Sequence, residues 1–301
     1  MESNGTLALG VGERLSERPR VWPALLVLLL GLPLVLVITG TCAVIAAALG
    51  GVSLSGDDAA EDLEAWLQAQ AGAPLHFFVL VSAQLGFLLL ALLPALASRE
   101  TLRRRLRLNR PRVGAGTIVL CLLGTLGVQS AVNLCATFLV DELSPNLQFV
   151  SKMFLEPQGI FAALAIFTLS ALPGLCEELF FRGYVQSRLV AAWGGWAGLV
   201  LPTLVFALAH FDLQHSFFVL PLGAWLGYVA WRTGSTWTAV LCHAFNNLVA
   251  ILMARWIDQS GDTAQGIGAL GVVVTAVPVV FTLLAVRALS RARPDPAEAV
   301  A

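Results

Sequence analysis

The sequence predicts an all-α integral membrane protein that crosses the bilayer about eight times. Of its 301 residues, 57% are hydrophobic and only 12% are charged, and the mean hydropathy is +0.80. These values exceed what a soluble domain needs to fill its core. The apolar residues are also grouped into separate stretches of roughly 20, which is the length that a helix needs to cross the bilayer.

The predicted spans follow one another along most of the chain, over 22–49, 74–97, 114–140, 159–187, 193–211, 216–232, 236–254 and 267–289. The first begins after several arginines, as a signal peptide does, but it is far longer than the apolar region of a signal peptide. We therefore expect it to stay as an anchor helix.

The charges of the connecting segments alternate along the chain. Acidic residues dominate 57–64, whereas 99–112 carries seven arginines. Because basic loops stay on the cytoplasmic side, eight spans place both termini in the cytoplasm of a cell membrane. The predicted domains are a cytoplasmic segment at 1–21, a single membrane domain at 22–291 and a cytoplasmic tail at 292–301.

Charge and cysteine usage exclude several classes of function. The net charge of -1 and the lack of a basic stripe argue against nucleic acid as a partner. The five cysteines lie in apolar runs without the spacing of metal ligands, so we interpret them as small core residues. The many arginines, alanines and glycines, beside a single lysine, favour a bacterial source. The lipid bilayer is the predicted surrounding, and no oligomeric state is predicted.

The most informative residues are polar side chains at membrane depth. An ionisable group there costs a few kcal/mol, so it usually faces a partner or a water-filled cavity. At 1.5 Å per residue from the predicted inner ends, Glu177 and His243 both lie roughly 16 Å into the membrane. The residues that could share one buried site all belong to the C-terminal half: Glu177, Glu178, Arg182, His210, His243 and Asn247.

Helical spacing predicts different roles for the two glutamates. Glu178 and Arg182 are four residues apart and share a helix face, so they can pair. Glu177 is rotated by about 100° and is less directly neutralised, which suits a general base. His243 and Asn247 also share a face, and an imidazole with a carboxamide can polarise a carbonyl and stabilise an oxyanion.

Three motifs carry a family resemblance. They are Glu177-Glu178-x-x-x-Arg182, Phe206-x-x-x-His210 and His243-x-x-x-Asn247. In order and spacing they resemble the motifs of the CAAX protease and bacteriocin-processing (CPBP) family, whose bacterial members are often called abortive-infection proteins. The resemblance covers about a third of the chain, with the expected catalytic core at 159–254, and the first three helices add no diagnostic residue.

This resemblance implies an intramembrane glutamate endopeptidase that hydrolyses a peptide bond of a membrane-associated protein or peptide. By motif position, Glu177 activates water with the help of His210, His243 and Asn247 stabilise the oxyanion, and Glu178 and Arg182 support them. No cofactor is implied. Zinc is possible but not favoured, because the chain has no His-Glu-x-x-His helix and its candidates come from three helices.

Other interpretations compete with hydrolysis. The charged residues could form a buried ion-pair network that only fixes helix packing, or the relay of a proton-coupled transporter. A non-catalytic membrane scaffold is a further alternative. Outside the motifs, His215 is interpreted as an interfacial residue, and Gly223 with Gly227 as a small-residue helix contact.

Overall fold

The computed structural model describes residues 20–53, 55–69, 74–260 and 268–292. Within these ranges the protein has eleven helices and no strands, and it is 83% helical. This confirms the predicted all-α fold. The predicted segments at 1–21 and 292–301 lie almost entirely outside the described residues.

Eleven helices follow one another along the described chain. They are α1 (Trp22–Leu49), α2 (Ala59–Ala69), α3 (Pro74–Leu96), α4 (Leu102–Arg105), α5 (Ala115–Leu139), α6 (Pro145–Leu155), α7 (Gly159–Trp193), α8 (Gly195–Leu208), α9 (Leu213–Thr233), α10 (Thr236–Ser260) and α11 (Gly268–Ser290). Helix α7 widens into π-helical turns at Phe167–Ala171 and Leu179–Gln186. Such widened turns often occur at functional sites.

Each predicted span corresponds to a helix. Among the described residues, α1, α3, α5, α7 and α10 are long and apolar enough to cross a membrane. Helix α8 and the part of α11 at Ala276–Ser290 are shorter apolar helices. A polytopic membrane protein is therefore confirmed.

Two helices, α2 and α6, lie in segments that connect the predicted spans. Helix α2 has Glu61 and Asp62 in its first turn, where acidic residues favour a helix, and its Trp66 packs on the ends of α1 and α3. Helix α6 begins at Pro145, and the side chain of Ser144 caps it by accepting a hydrogen bond from the Leu147 amide. Their polar composition hid both helices from a search for apolar stretches.

The described helices pack around two apolar clusters. In the first, Phe87 of α3 contacts Phe180 and Phe181 of α7, and Phe181 contacts Phe206 of α8 edge to face. The second joins α5, α9, α10 and α11 around the buried Trp225. Helix α7 contributes to the first cluster and also contacts α10, which belongs to the second.

The cysteines fit the expected role in part. All five are free, and Cys121, Cys176 and Cys242 are buried as predicted. Cys42 is partly buried and Cys135 is exposed on α5. The interpretation as core residues is therefore wrong for Cys135, because the outer face of a membrane helix is as apolar as its inner face and the sequence does not distinguish them.

A glycine turn returns the chain toward the polar residues of α7. Gly194 has a φ of 84°, which side chains disfavour, and it separates α7 from α8. Helix α8 then ends at Leu208, and Phe211 also has a positive φ, of 50°. The short connection that follows carries His210, and Asp212 begins α9 by accepting a hydrogen bond from the His215 amide at 2.6 Å. That bond lowers the pKa of the Asp212 carboxyl.

Candidate active site

Glu177 lies on the wall of a cavity of about 220 Å³. Helices α1, α3, α7 and α8 and the residues just after α8 line this cavity, which is mostly apolar. Its polar lining side chains are Thr39, Gln84, Glu177 and His210. The cavity is therefore a predominantly apolar compartment with a small polar group around one carboxylate, as ligand sites commonly are.

Glu178 occupies a different environment although it is the next residue. Its side chain is completely buried, and Oε1 accepts from Arg182 Nη1 at 2.8 Å and lies 2.8 Å from His243 Nδ1. Oε2 is buried without a partner among the described residues. The pairing with Arg182 agrees with the four-residue spacing, and it neutralises Glu178 in the protein interior.

Arg182 connects α7 to α9. Its Nη2 donates to the carbonyl of Gly223 at 3.0 Å, and its guanidinium lies over the Phe206 ring at 4.3 Å. One turn further, Gln186 Nε2 donates to the carbonyl of Gly227 at 2.8 Å. A Cβ at Gly223 would lie 2.8 Å from the Phe206 ring. The two glycines thus do more than bring helices together, because their carbonyls accept from the polar residues of α7.

His210 shares the cavity with Glu177. Its Nδ1 lies 3.1 Å from the Phe206 carbonyl, which fixes the ring at the end of α8. The ring of His215 packs against it at 4.3 Å between centroids. His215 was interpreted as an interfacial residue, which stays a prediction, and the short turn that precedes α9 brings it beside a site residue.

His243 and Asn247 come from α10, and neither is among the residues that line the cavity. The Phe206 ring centroid lies 5.5 Å from that of His210 and 5.9 Å from that of His243. His243 contacts Glu178, and Asn247 Nδ2 donates to the carbonyl of Leu169 at 3.2 Å. Leu169 belongs to the first π-helical stretch of α7. The two motif residues of α10 are thus both held by α7.

Gln84 is a site residue that the sequence analysis did not identify. It lies on α3, and its Nε2 donates to Glu177 Oε1 at 3.0 Å. The sequence feature that could have identified it is an amide within the largely apolar stretch 74–97. It was missed because an amide is not ionisable. Because α1 and α3 also line the cavity, the N-terminal half forms part of the site.

The described residues contain no group of three or more His, Cys, Asp or Glu side chains arranged to hold a metal ion. Zinc ligands must converge on a single point. The expectation that the site works without a metal stays a prediction.

Residues 159–249 match a protein-family model described as Type II CAAX prenyl endopeptidase Rce1-like. The match confirms the resemblance drawn from the three motifs and supports a CAAX-type protease in general. It covers a little under a third of the chain, and it includes all six candidate residues. No curated protein and no solved structure matches the chain.

Proposed function

We propose that the protein is an intramembrane glutamate endopeptidase that hydrolyses a peptide bond of a membrane-associated protein or peptide. One observation carries the proposal: of two adjacent glutamates, Glu178 is bound by Arg182 and His243, whereas Glu177 faces a cavity that it shares with His210. A carboxylate beside open space, with an imidazole on the same wall, can act on water.

Glu177 is the general base of this proposal. The cavity of about 220 Å³ has room for a water molecule, which occupies about 30 Å³ in the liquid, and for part of a peptide. Glu177 takes a proton from the water while the water oxygen attacks the peptide carbonyl. His210 helps to orient the water, and the proton then passes to the nitrogen of the departing amine.

His243 and Asn247 stabilise the negative oxygen of the tetrahedral intermediate. Because Glu178 holds His243 at Nδ1, Nε2 is the ring nitrogen left to donate to the oxyanion. Asn247 gives one of its two N–H bonds to Leu169 and keeps the second for the intermediate. Glu178 and Arg182 support the site by fixing His243.

The orientation of the enzyme in the membrane follows from the charges of the segments that connect its predicted spans. We place it in the plasma membrane of a bacterium with both termini in the cytoplasm, and we expect it to need no metal. The arginine-rich segment 99–112 then faces the cytoplasm.

The test uses purified protein in lipid nanodiscs and a panel of synthetic peptides. The panel combines farnesylated peptides with a CAAX terminus and unmodified peptides with one transmembrane segment, and mass spectrometry detects the cleaved bonds. We expect cleavage of at least one class by the wild type and none by Glu177→Gln. Full activity of Glu177→Gln would overturn the assignment, as would proton-coupled uptake into liposomes that Glu177→Gln abolishes without any proteolysis.

A further inference from the structure

Two polar atoms on the cavity wall have no partner among the described residues. They are Oγ1 of Thr39 on α1 and Oε1 of Gln84 on α3, and both are buried. Buried polar atoms in folded proteins normally have a partner, which can be protein, water or a ligand. Both residues line the cavity that holds Glu177.

The orientation of the Gln84 amide follows from its contact with Glu177. The amide nitrogen donates to the Glu177 carboxylate, so the carbonyl oxygen is turned away from that carboxylate. A flipped amide would place two acceptor oxygens against each other. Gln84 therefore holds the proposed base with one end and offers a hydrogen-bond acceptor with the other.

Thr39 contrasts with a second threonine on the same helix. The hydroxyl of Thr41 donates to the Val37 carbonyl at 2.7 Å, which is the usual bond of a threonine inside a helix. Thr39 makes no such bond, although it stands only two residues away. Its hydroxyl is accordingly left without a partner among the described residues, on a residue that lines the cavity.

We propose that Thr39 and Gln84 form a subsite that binds the backbone of an extended peptide beside the bond to be cleaved. Gln84 Oε1 accepts from a peptide N–H, and the Thr39 hydroxyl donates to a peptide carbonyl. An extended peptide offers both groups unpaired, and inside a membrane they need partners from the protein. This subsite rests on the proposed function, and it lies entirely outside the matched residues 159–249.

Backbone recognition predicts a specific kinetic signature. Thr39→Val keeps the shape of the side chain and removes its hydroxyl, so KM for the cleaved peptide should rise about fivefold while kcat changes by less than about twofold. Thr39→Ser should restore the wild-type KM. The matched control is Thr41→Val on the same helix, which should leave both constants unchanged.

Gln84→Met should raise KM and also lower kcat, because Gln84 contacts Glu177 as well as the peptide. Its control is Gln129→Met, which alters an amide that bonds Asn133 within α5. The decisive comparison uses peptides that are N-methylated at one residue after another around the cleavage site. One methylated position should weaken binding to the wild type about fivefold and have no further effect in Gln84→Met, because the same hydrogen bond is already lost.

Peptide binding is also measured directly, by fluorescence anisotropy of the labelled peptide, because binding does not require hydrolysis. Loss of binding in Thr39→Val with thermal unfolding at the wild-type temperature supports the subsite even if the bound peptide is not cut. Equal binding by wild type, Thr39→Val and Gln84→Met would overturn it, and would mean that only water meets these atoms. Failure of the proposed function appears differently, as cleavage that survives Glu177→Gln.

Discussion

Glu177 and Glu178 are neighbours on α7, yet Glu177 faces a cavity that it shares with Gln84 and His210, whereas Glu178 is completely buried between Arg182 and His243. The contrast separates two uses of a carboxylate in a membrane. A charge beside open space can exchange protons with a reactant, and a buried charge paired with an arginine holds helices in place. Substitutions at Glu177 should therefore affect cleavage, whereas substitutions around Glu178 should affect the free energy of unfolding.

The largest expected effect is on the Glu177 side. Glu177→Gln removes the proposed base and should lower cleavage of the panel peptides by about 100- to 10,000-fold. The free energy of unfolding should stay close to that of the wild type, because the side-chain hydrogen bond that Glu177 receives within the described part of the chain is a neutral one, from the Gln84 amide. Unfolding in SDS is measured in parallel, and a large loss of stability would show that Glu177 belongs to the structural network instead.

On the Glu178 side, Arg182→Met should lower the free energy of unfolding by about 3–5 kcal/mol, because it removes the arginine partner of a completely buried carboxylate. The substitution also removes the contacts that Arg182 makes with Gly223 and Phe206. Arg287→Met is the control, since Arg287 is exposed on α11. If Arg182→Met were as stable as the control, Arg182 would not be needed to hold the buried Glu178 and to join α7 to α9.

Gly223 tests how closely α9 packs against Phe206 and Arg182. A methyl group there would meet the Phe206 ring at 2.8 Å, so Gly223→Ala should destabilise the protein by about 1–3 kcal/mol. At Gly40, in the middle of α1, an added Cβ meets nothing within 4 Å. Gly40→Ala should be neutral or stabilise by up to about 1 kcal/mol. Equal effects of the two substitutions would show that Phe206 of α8 does not pack tightly against α9 at Gly223.

The turn that carries His210 has its own test. Asp212→Ala removes the cap of α9 and should cost about 1 kcal/mol at neutral pH. The pKa of Asp212 is lowered in the folded state, so its contribution is present above the unfolded pKa of about 3.9 and is lost as pH falls through the folded value. Unfolding curves of wild type and variant should therefore converge at low pH, and a constant difference would exclude the ionised cap.

The smallest expected effect is that of chelation. With no metal requirement at Glu177 and His210, incubation with EDTA or 1,10-phenanthroline should leave cleavage within the error of the assay. Restoration of a lost activity by added zinc would identify a metal enzyme and change the role of both residues.

The sequence predicted the helical fold and the Glu178–Arg182 contact because apolar length and four-residue spacing act locally. It did not predict Gln84, because a neutral amide inside an apolar stretch breaks no rule of membrane helices. The contact of His243 with Glu178 also escaped it, since the phase of one helix against another depends on packing. The π-helical turns at Leu179–Gln186 have no sequence signature of their own, and their wider turns shift the helical phase of the residues that follow.

The bonds from Arg182 to Gly223 and from Gln186 to Gly227 repeat at four-residue intervals on both helices, and the residue numbers rise together, so α7 and α9 run in the same direction. Equal intervals alone would let one helix slip by a turn and pair Arg182 with Gly227. The contact between Glu178 and His243 has no such repeat, because it joins α7 to a third helix. A slip of α7 along both α9 and α10 would break this contact, so α10 helps to fix the register of α7.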